Sequence, residues 1–376
     1  MTPLIGTFSA GTARGFGWLF QVVGGGASGA LYSWGDAAQG QLGSGNTTSR
    51  SSPVQVGTLT TWSKISAGQV HSLAIKTDGA LWAWGYNLSG ALGLNDLTNR
   101  SSPVQVGALT TWSVVSGGGA SLAVKTDGTL WAWGTNGQGE LGLNDLTRRS
   151  SPVQVGALTT WSFVNAGDAN GYAIKTNGTL WAWGFGGDSS VGDGTTTTRS
   201  SPVQIGADTN WSRVDCGANV PLAIKTNGTL YAWGNGFGGA IGNGSTASQQ
   251  NPVQIGALTT WSVVGGGTNY SLAIKTDGTL WAWGYNQYGQ LGKSNTTAYS
   301  SPVQIGALTT WSKVSAGVFH ALATKTDGTL WAWGWNAQGQ LGLGDLTNRS
   351  SPVQVGTLTN WNAVSGGAYH SVVTET

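Results

Sequence analysis

One phrase of about fifty residues recurs along almost the whole chain, and that period limits what the chain can become. The stretch KTDGTLWAWGYNQYGQLG at 275–292 returns as KTDGTLWAWGWNAQGQLG at 325–342. Its second tryptophan falls at Trp34, Trp84, Trp133, Trp183, Trp233, Trp283 and Trp333, in steps of 50, 49, 50, 50, 50 and 50 residues. A proline marker (Pro53, Pro103, Pro152, Pro202, Pro252, Pro302, Pro352) and a further tryptophan (Trp62, Trp112, Trp161, Trp211, Trp261, Trp311, Trp361) also count seven. A fixed period of this length is the mark of a solenoid, a propeller or an array.

Each unit reads as four short strands. PVQVG and WSKVSAG are rich in β-formers and bounded by Gly, Ser and Thr, while HSLAIKT and LWAWG flank Asp-Gly or Asn-Gly. Six such pairs occur, among them Asp78-Gly79 and Asn177-Gly178, and a two-residue type I′ turn is the expectation for them. That turn predicts Ile75 opposite Trp82, Leu73 opposite Trp84 and Ala74 opposite Ala83, giving one bulky and one small face. Four strands per unit at this period predict an all-β, seven-bladed β-propeller. The C-terminal HSVVTET (370–376) stops before its turn, and the N-terminal GALYSWG (29–35) lacks the strand before it. The two ends are expected to complete one blade by antiparallel pairing, Val372 near Trp34 and Thr374 near Tyr32.

Composition sharpens the reading. Of 21 tryptophans, all but Trp18 and Trp335 occupy repeated strand positions, which marks them as core. Charged residues make up only 9 % and the net charge is +2, without the basic stripe of an electrostatic nucleic-acid binder. The single Cys216 excludes an intramolecular disulfide. Residues 1–24 stand outside the repeat, with the propeller expected over 25–376. Their apolar run, Phe16 to Val23, is too short and glycine-broken to span a bilayer and has no basic lead-in of a secretory signal. Phe8, Phe16, Trp18 and Phe20 mark this segment as an anchor to another chain or an arm packed on its own ring.

The phrase WGYNQYGQLG, then SSPVQIG, then SAGVFHALATKTDGTLWAWG resembles the repeat of the regulator of chromosome condensation family, over about residues 25–376. The resemblance implies a seven-bladed propeller used mostly as a binding platform. The family's name-giving member is also an exchange factor for a small GTPase and binds chromatin through a basic tail. Its exchange activity looks dependent on an inserted wedge, whereas no unit here departs from 49–50 residues and Arg14 is the only basic residue of the N-terminal segment. The plant ultraviolet-B photoreceptor is a further relative, but its Gly-Trp-Arg-His-Thr phrase is absent.

His71, His320 and His370 share one repeat position in three consecutive units, and a structural role is preferred over a three-histidine metal site. Lys76, Lys125, Lys175, Lys225, Lys275 and Lys325 read as solvent-facing hairpin ends beside the turn aspartates, and the arginines before SSP read the same way. With only two glutamates, Glu140 and Glu375, no catalytic constellation is expected, nor any cofactor or metal. The informative positions are those where the units disagree, after each Trp-Gly and before each SLAIK-like strand. Tyr270, Tyr285, Tyr288, Phe319, Trp335 and Tyr369 cluster there in the last three units and form the candidate partner-binding face.

The sequence therefore predicts a non-enzymatic binding or structural propeller with protein partners. The low-charge Thr/Gly/Ser/Asn surface favours an attachment component of an externally exposed assembly such as a phage-like virion. The alternatives are an intracellular adaptor or exchange-factor-like regulator of a small GTPase, and a carbohydrate-binding lectin.

Overall fold

The computed structural model describes residues 28–376. The expected anchor residues Phe8, Phe16, Trp18 and Phe20 lie outside the described residues. The chain forms seven four-stranded antiparallel sheets arranged as the blades of a closed propeller. Blade I runs from its first strand Trp62–Ala67 through His71–Lys76 and Leu81–Gly85 to Arg100–Gln105. Blades II to VI repeat this, beginning at Trp112, Trp161, Trp211, Trp261 and Trp311. Blade VII joins Trp361–Gly366 and His370–Glu375 to Leu31–Gly35 and Arg50–Gln55, so both ends of the described chain share one sheet. The first strands of neighbouring blades meet around the centre, and the proline strands form the outer rim.

The closing strands pair antiparallel as expected, but one residue out of the expected register: Trp34 faces Ser371, Ser33 faces Val372, and Leu31 faces Thr374. The same shift holds in blade I, where Ala74 faces Trp82, Ser72 faces Trp84 and Leu73 faces Ala83. The cause is the hairpin. It is a three-residue loop, Thr77-Asp78-Gly79, in which Gly79 N donates to Lys76 O at 2.9 Å and Lys76 N to Ala80 O at 3.0 Å. Only the glycine takes positive φ, +81°, so this is a type I turn followed by a glycine bulge rather than a type I′ turn. The Asp78 carboxylate accepts the Ala80 N–H at 2.9 Å, which favours that geometry.

The corrected register changes the two faces of each blade. Trp82 and Trp84 lie over Ala74 and Ser72 on one face, while Leu73, Ile75, Leu81 and Ala83 share the other. The indoles thus cover small residues of the neighbouring strand. The tryptophan face of each blade packs on the aliphatic face of the blade before it: Trp112, Val115, Ala123 and Trp133 of blade II meet Leu73, Ile75, Leu81 and Leu92 of blade I. Seven such clusters close the circle, and blade VII with blade I is one of them.

Directional bonds reinforce this packing. The buried Trp84 Nε1 donates to Gln41 O of blade VII at 2.9 Å. Its counterparts Trp34, Trp133, Trp183, Trp233, Trp283 and Trp333 do the same to Gln340, Ala91, Glu140, Ser190, Ala240 and Gln290. This explains the Gly-Gln-Leu-Gly phrase. A Cβ on Gly43, whose φ is +69°, would sit 2.8 Å from Trp84 Nε1, so the loop approaches the indole only as glycine.

Candidate binding face and central channel

In each blade the turn between the first two strands and the long loop after Trp-Gly lie at the same end of the strands. This loop face of the ring gathers the positions where the units differ. Five of the six candidate aromatics meet there in a continuous chain. Tyr285 lies 6.4 Å from Phe319, Phe319 5.2 Å from Tyr288, Tyr288 6.2 Å from Trp335, and Trp335 5.2 Å from Tyr369, between ring centroids. All five are half-buried or exposed. Phe237 extends the arc, 5.7 Å from Tyr285, and is 56 % exposed. Sequence reasoning passed over Phe237, although it stands in the variable loop after Trp-Gly; there it occupies the short 3-10 turn Phe237–Gly239 of blade IV. The arc spans blades IV to VII.

Tyr270 is a correction. It is fully buried, and its hydroxyl donates to Gly317 O at 3.1 Å and His320 O at 2.5 Å. It occupies the position filled by histidine in blades VI, VII and I, so it is a core residue between blades V and VI rather than part of the binding face.

The rings of the arc contact one another edge-on or tilted, which fixes their orientation at low entropic cost to a partner. Among the described residues, the hydroxyls of Tyr288 and Tyr369 and the Trp335 indole N–H make no hydrogen bond, so apolar faces and free polar tips are offered together. Burial and the neighbouring Tyr288 push the Tyr285 phenol up, keeping it a donor.

The histidines do not converge. His320 Nε2 lies 3.0 Å from Ser371 Oγ, His370 Nε2 3.0 Å from Ser72 Oγ, and His71 Nε2 2.8 Å from Ser121 Oγ, each bridging to the next blade. All three are buried, and burial holds them neutral, lowered from 6.5 to about 3 for His71 and His320 and about 4 for His370.

The lysines also differ from expectation. Lys76 Nζ lies 3.7 Å from the Trp82 ring centroid and 5.2 Å from that of Trp62. The other five repeat this, with Tyr231 taking the third-strand place at Lys225. The turn aspartates bond instead to their own loop, Asp127 accepting the Thr129 N–H at 3.0 Å and its hydroxyl at 2.6 Å. The ammonium covers the indoles instead of standing free in water. Arg100, Arg149, Arg199 and Arg349 are likewise held, in ion pairs with Asp96, Asp145, Asp193 and Asp345.

Inside the ring lies a cavity of about 470 Å³ lined by the first strands. The inner edges are joined by side chains that accept the next blade's backbone N–H: Ser365 from Ala67 (2.9 Å), Ser66 from Gly117 (2.9 Å), Ser116 from Ala166 (2.9 Å), Asn165 from Cys216 (3.0 Å) and Ser315 from Gly366 (3.1 Å). Asp215 also accepts the Gly266 N–H. Gly265, at the same place in blade V, has no side chain to offer. This girdle answers the edge-strand problem at the centre. Within the channel, burial lowers Arg213 to about 10, opposed by Asp215. Burial raises Asp215 to about 6 against the bonds it accepts.

The sequence matches the Regulator of chromosome condensation (RCC1) repeat over residues 28–75, 78–124, 127–174, 177–224, 227–274, 277–324 and 327–374. The chain belongs to this family. A second model of the same repeat matches 62–91, 113–140, 262–290 and 311–340. A sequence comparison with curated proteins finds no match. Among solved structures, the chain is similar to Prp20p from Saccharomyces cerevisiae, at 19 % identity and a TM-score of 0.84, covering 94 % of this chain and 93 % of that one. That structure was described together with binding of Prp20p to Gsp1p and histones. The yeast protein bound to Kap60 gives a TM-score of 0.84 at 18 % identity, covering 100 % and 97 % of the two chains. Human WBSCR16 gives 0.82 at 20 % identity, covering 92 % and 98 %. At these identities the likeness concerns the fold.

Proposed function

We propose that the chain is a non-enzymatic, protein-binding propeller that acts as an adaptor or regulator and holds its partner against the loop face. The observation that carries this reading is the arc from Phe237 to Tyr369. It joins aromatic side chains of four blades on the face where the repeats differ, in a protein whose blade interfaces are otherwise nearly identical. Buried clusters of aromatic residues ringed by neutral contacts are what protein interfaces concentrate their binding energy in. The similarity to Prp20p, a protein described with protein ligands, supports this reading over an attachment component of a virion. Most of the described acids are engaged in turns, ion pairs or the channel wall, which also supports a non-catalytic role.

The test is a photo-crosslinking amino acid placed at Tyr288 or at the exposed Thr309, in the connection between blades at the opposite end of the strands, in the native cell, with the adducts identified by mass spectrometry. Position 288 should capture a discrete protein and position 309 should not, and Tyr288→Ala/Trp335→Ala should lose that partner while the ring stays folded. Adducts that persist in the double variant would refute the assignment of the arc. The finer reading, nucleotide exchange on a small GTPase, is tested by nucleotide release from the GTPases of the same genome.

A further inference from the structure

Resting on the reading that the loop face holds a protein, we propose that the aromatic arc is a track for a proline-rich segment of that partner, bound as an extended polyproline II helix. From Phe237 to Tyr369 its rings follow one another at 5.2 to 6.4 Å, across four blades and without a gap. A polyproline II chain rises about 3.1 Å per residue, so the track takes no more than roughly nine residues. Aromatic-lined surfaces suit that conformation, which is formed before binding and so loses little entropy.

The rings are not placed for the sake of the fold. In blade VII the residue after Trp-Gly is Asp36, whose carboxylate accepts the side-chain amide of Gln41 at 2.8 Å. Gln290 and Gln340 hold the place of Gln41 in blades V and VI, five residues on from Tyr285 and Trp335. Both glutamines are fully buried, and their amide nitrogens have no hydrogen-bond partner. An aromatic residue at 285 and at 335 therefore leaves a buried donor unpaired, which costs the ring stability. Side chains kept on the surface at that cost serve contacts outside the chain.

The chemistry of the arc selects the occupant. The Trp335 indole N–H is a donor only, and it and the Tyr288 and Tyr369 hydroxyls make no hydrogen bond among the described residues. A proline-rich strand offers solvated carbonyl acceptors and few N–H groups of its own. Charge is absent on both sides. The long loops of blades IV to VI, 235–248, 285–298 and 335–348, contain only Lys293 and Asp345 as charged residues. Lys293 Nζ donates to Gln304 O at 2.6 Å, and Asp345 is paired with Arg349. The corresponding loops of blades VII and I to III, 36–49, 86–99, 135–148 and 185–198, carry six carboxylates and one arginine. An uncharged, acceptor-rich, extended segment is what matches the arc.

The experiment is a titration of the full chain, isotope-labelled at its tryptophans, with decaproline. It is followed at the Trp335 indole N–H resonance, which Trp335→Phe identifies by its absence. Decaproline should shift that resonance saturably and leave the indoles of the blade interfaces in place, and a Gly-Ser decapeptide should not. Tyr288→Phe, which keeps the ring and removes the donor, should weaken binding roughly threefold to tenfold. Tyr86→Ala, at the Tyr285 position of blade I, where the ring meets no other aromatic among the described residues, should bind as wild type. No shift with decaproline at millimolar concentration, an equal shift with the Gly-Ser peptide, or a shift with cellohexaose in place of decaproline overturns the assignment. A protein captured at position 288 in that case leaves the loop face as the interface and removes only its proline-rich occupant. Failure of both experiments removes the underlying reading as well.

Discussion

The blade interfaces on either side of the closure differ from those across the ring. Around blades VI, VII and I, a buried histidine bridges to a serine of the next blade at each of three successive interfaces. Across the ring the same position holds Ala120, Asn170, Val220 and Tyr270. Asn170 bonds within its own blade, to Trp183 O and Phe185 O, and Tyr270 crosses to blade VI with a phenol. Both sides share the tryptophan staple and the aliphatic packing. The ring thus has one framework, with the buried histidine bridges confined to the side where its two ends meet.

The largest effect expected comes from removing residues 370–376. This takes the second strand of blade VII, leaves Leu31–Gly35 paired on one side only and Trp361–Gly366 without a strand partner, and should abolish the cooperative thermal transition and cause aggregation, read by calorimetry and light scattering. A cooperative monomer after this deletion would show that the closure is dispensable.

Next come the staples. Trp84→Ala at the closure and Trp283→Ala across the ring should each cost about 3–5 kcal/mol in chemical denaturation. Equal losses would place the difference between the two sides in the histidines, and a much larger loss at Trp84 would place it in the closure itself.

Acid sharpens the comparison further. The three histidines are held below their ordinary 6.5, at about 3 to 4, so the unfolded chain takes up protons in that range that the folded ring refuses. Their contribution is complete above pH 6.5 and is lost as pH falls toward 3. Asp215, raised from 3.8 to about 6, acts in the opposite sense over pH 6 to 4, joined by the burial-raised Asp168 and Glu140, while carboxylates held low by their loop bonds, such as Asp127 and Asp145, act with the histidines. Melting temperature should therefore fall on acidification below 6.5. His71→Asn/His320→Asn/His370→Asn, which puts the residue of blade III at all three places, should flatten that fall. An unchanged acid limb would exclude the histidines as its source.

The smallest effect concerns the lysine caps. Blade VII carries Glu375 where the other blades carry lysine, and there Tyr32 meets Trp361 edge-on at 5.2 Å. Glu375→Lys should place an ammonium over these rings and stabilise the ring by about 0.5–1 kcal/mol, whereas Lys175→Met should cost a similar amount. Stabilities that do not move would mean the caps are energetically neutral.

The sequence alone determined the number of blades, four strands in each, the non-covalent closure and the tryptophan core, because each follows from a period that a single chain carries in full. It also marked Tyr285, Tyr288, Phe319, Trp335 and Tyr369 as positions where a uniform framework departs from itself. The register was out of reach by one residue, because Thr-Asp-Gly supports either a two- or a three-residue loop and the aspartate's bond to the backbone decides between them. Tyr270 could not be told from its neighbours, since whether an aromatic before a strand points outward or into the next blade depends on that blade. The lysine over its two indoles needs the first three strands of one blade in register, whereas the serine girdle joins groups some fifty positions apart or across the chain ends. Only closing the ring brings those groups together.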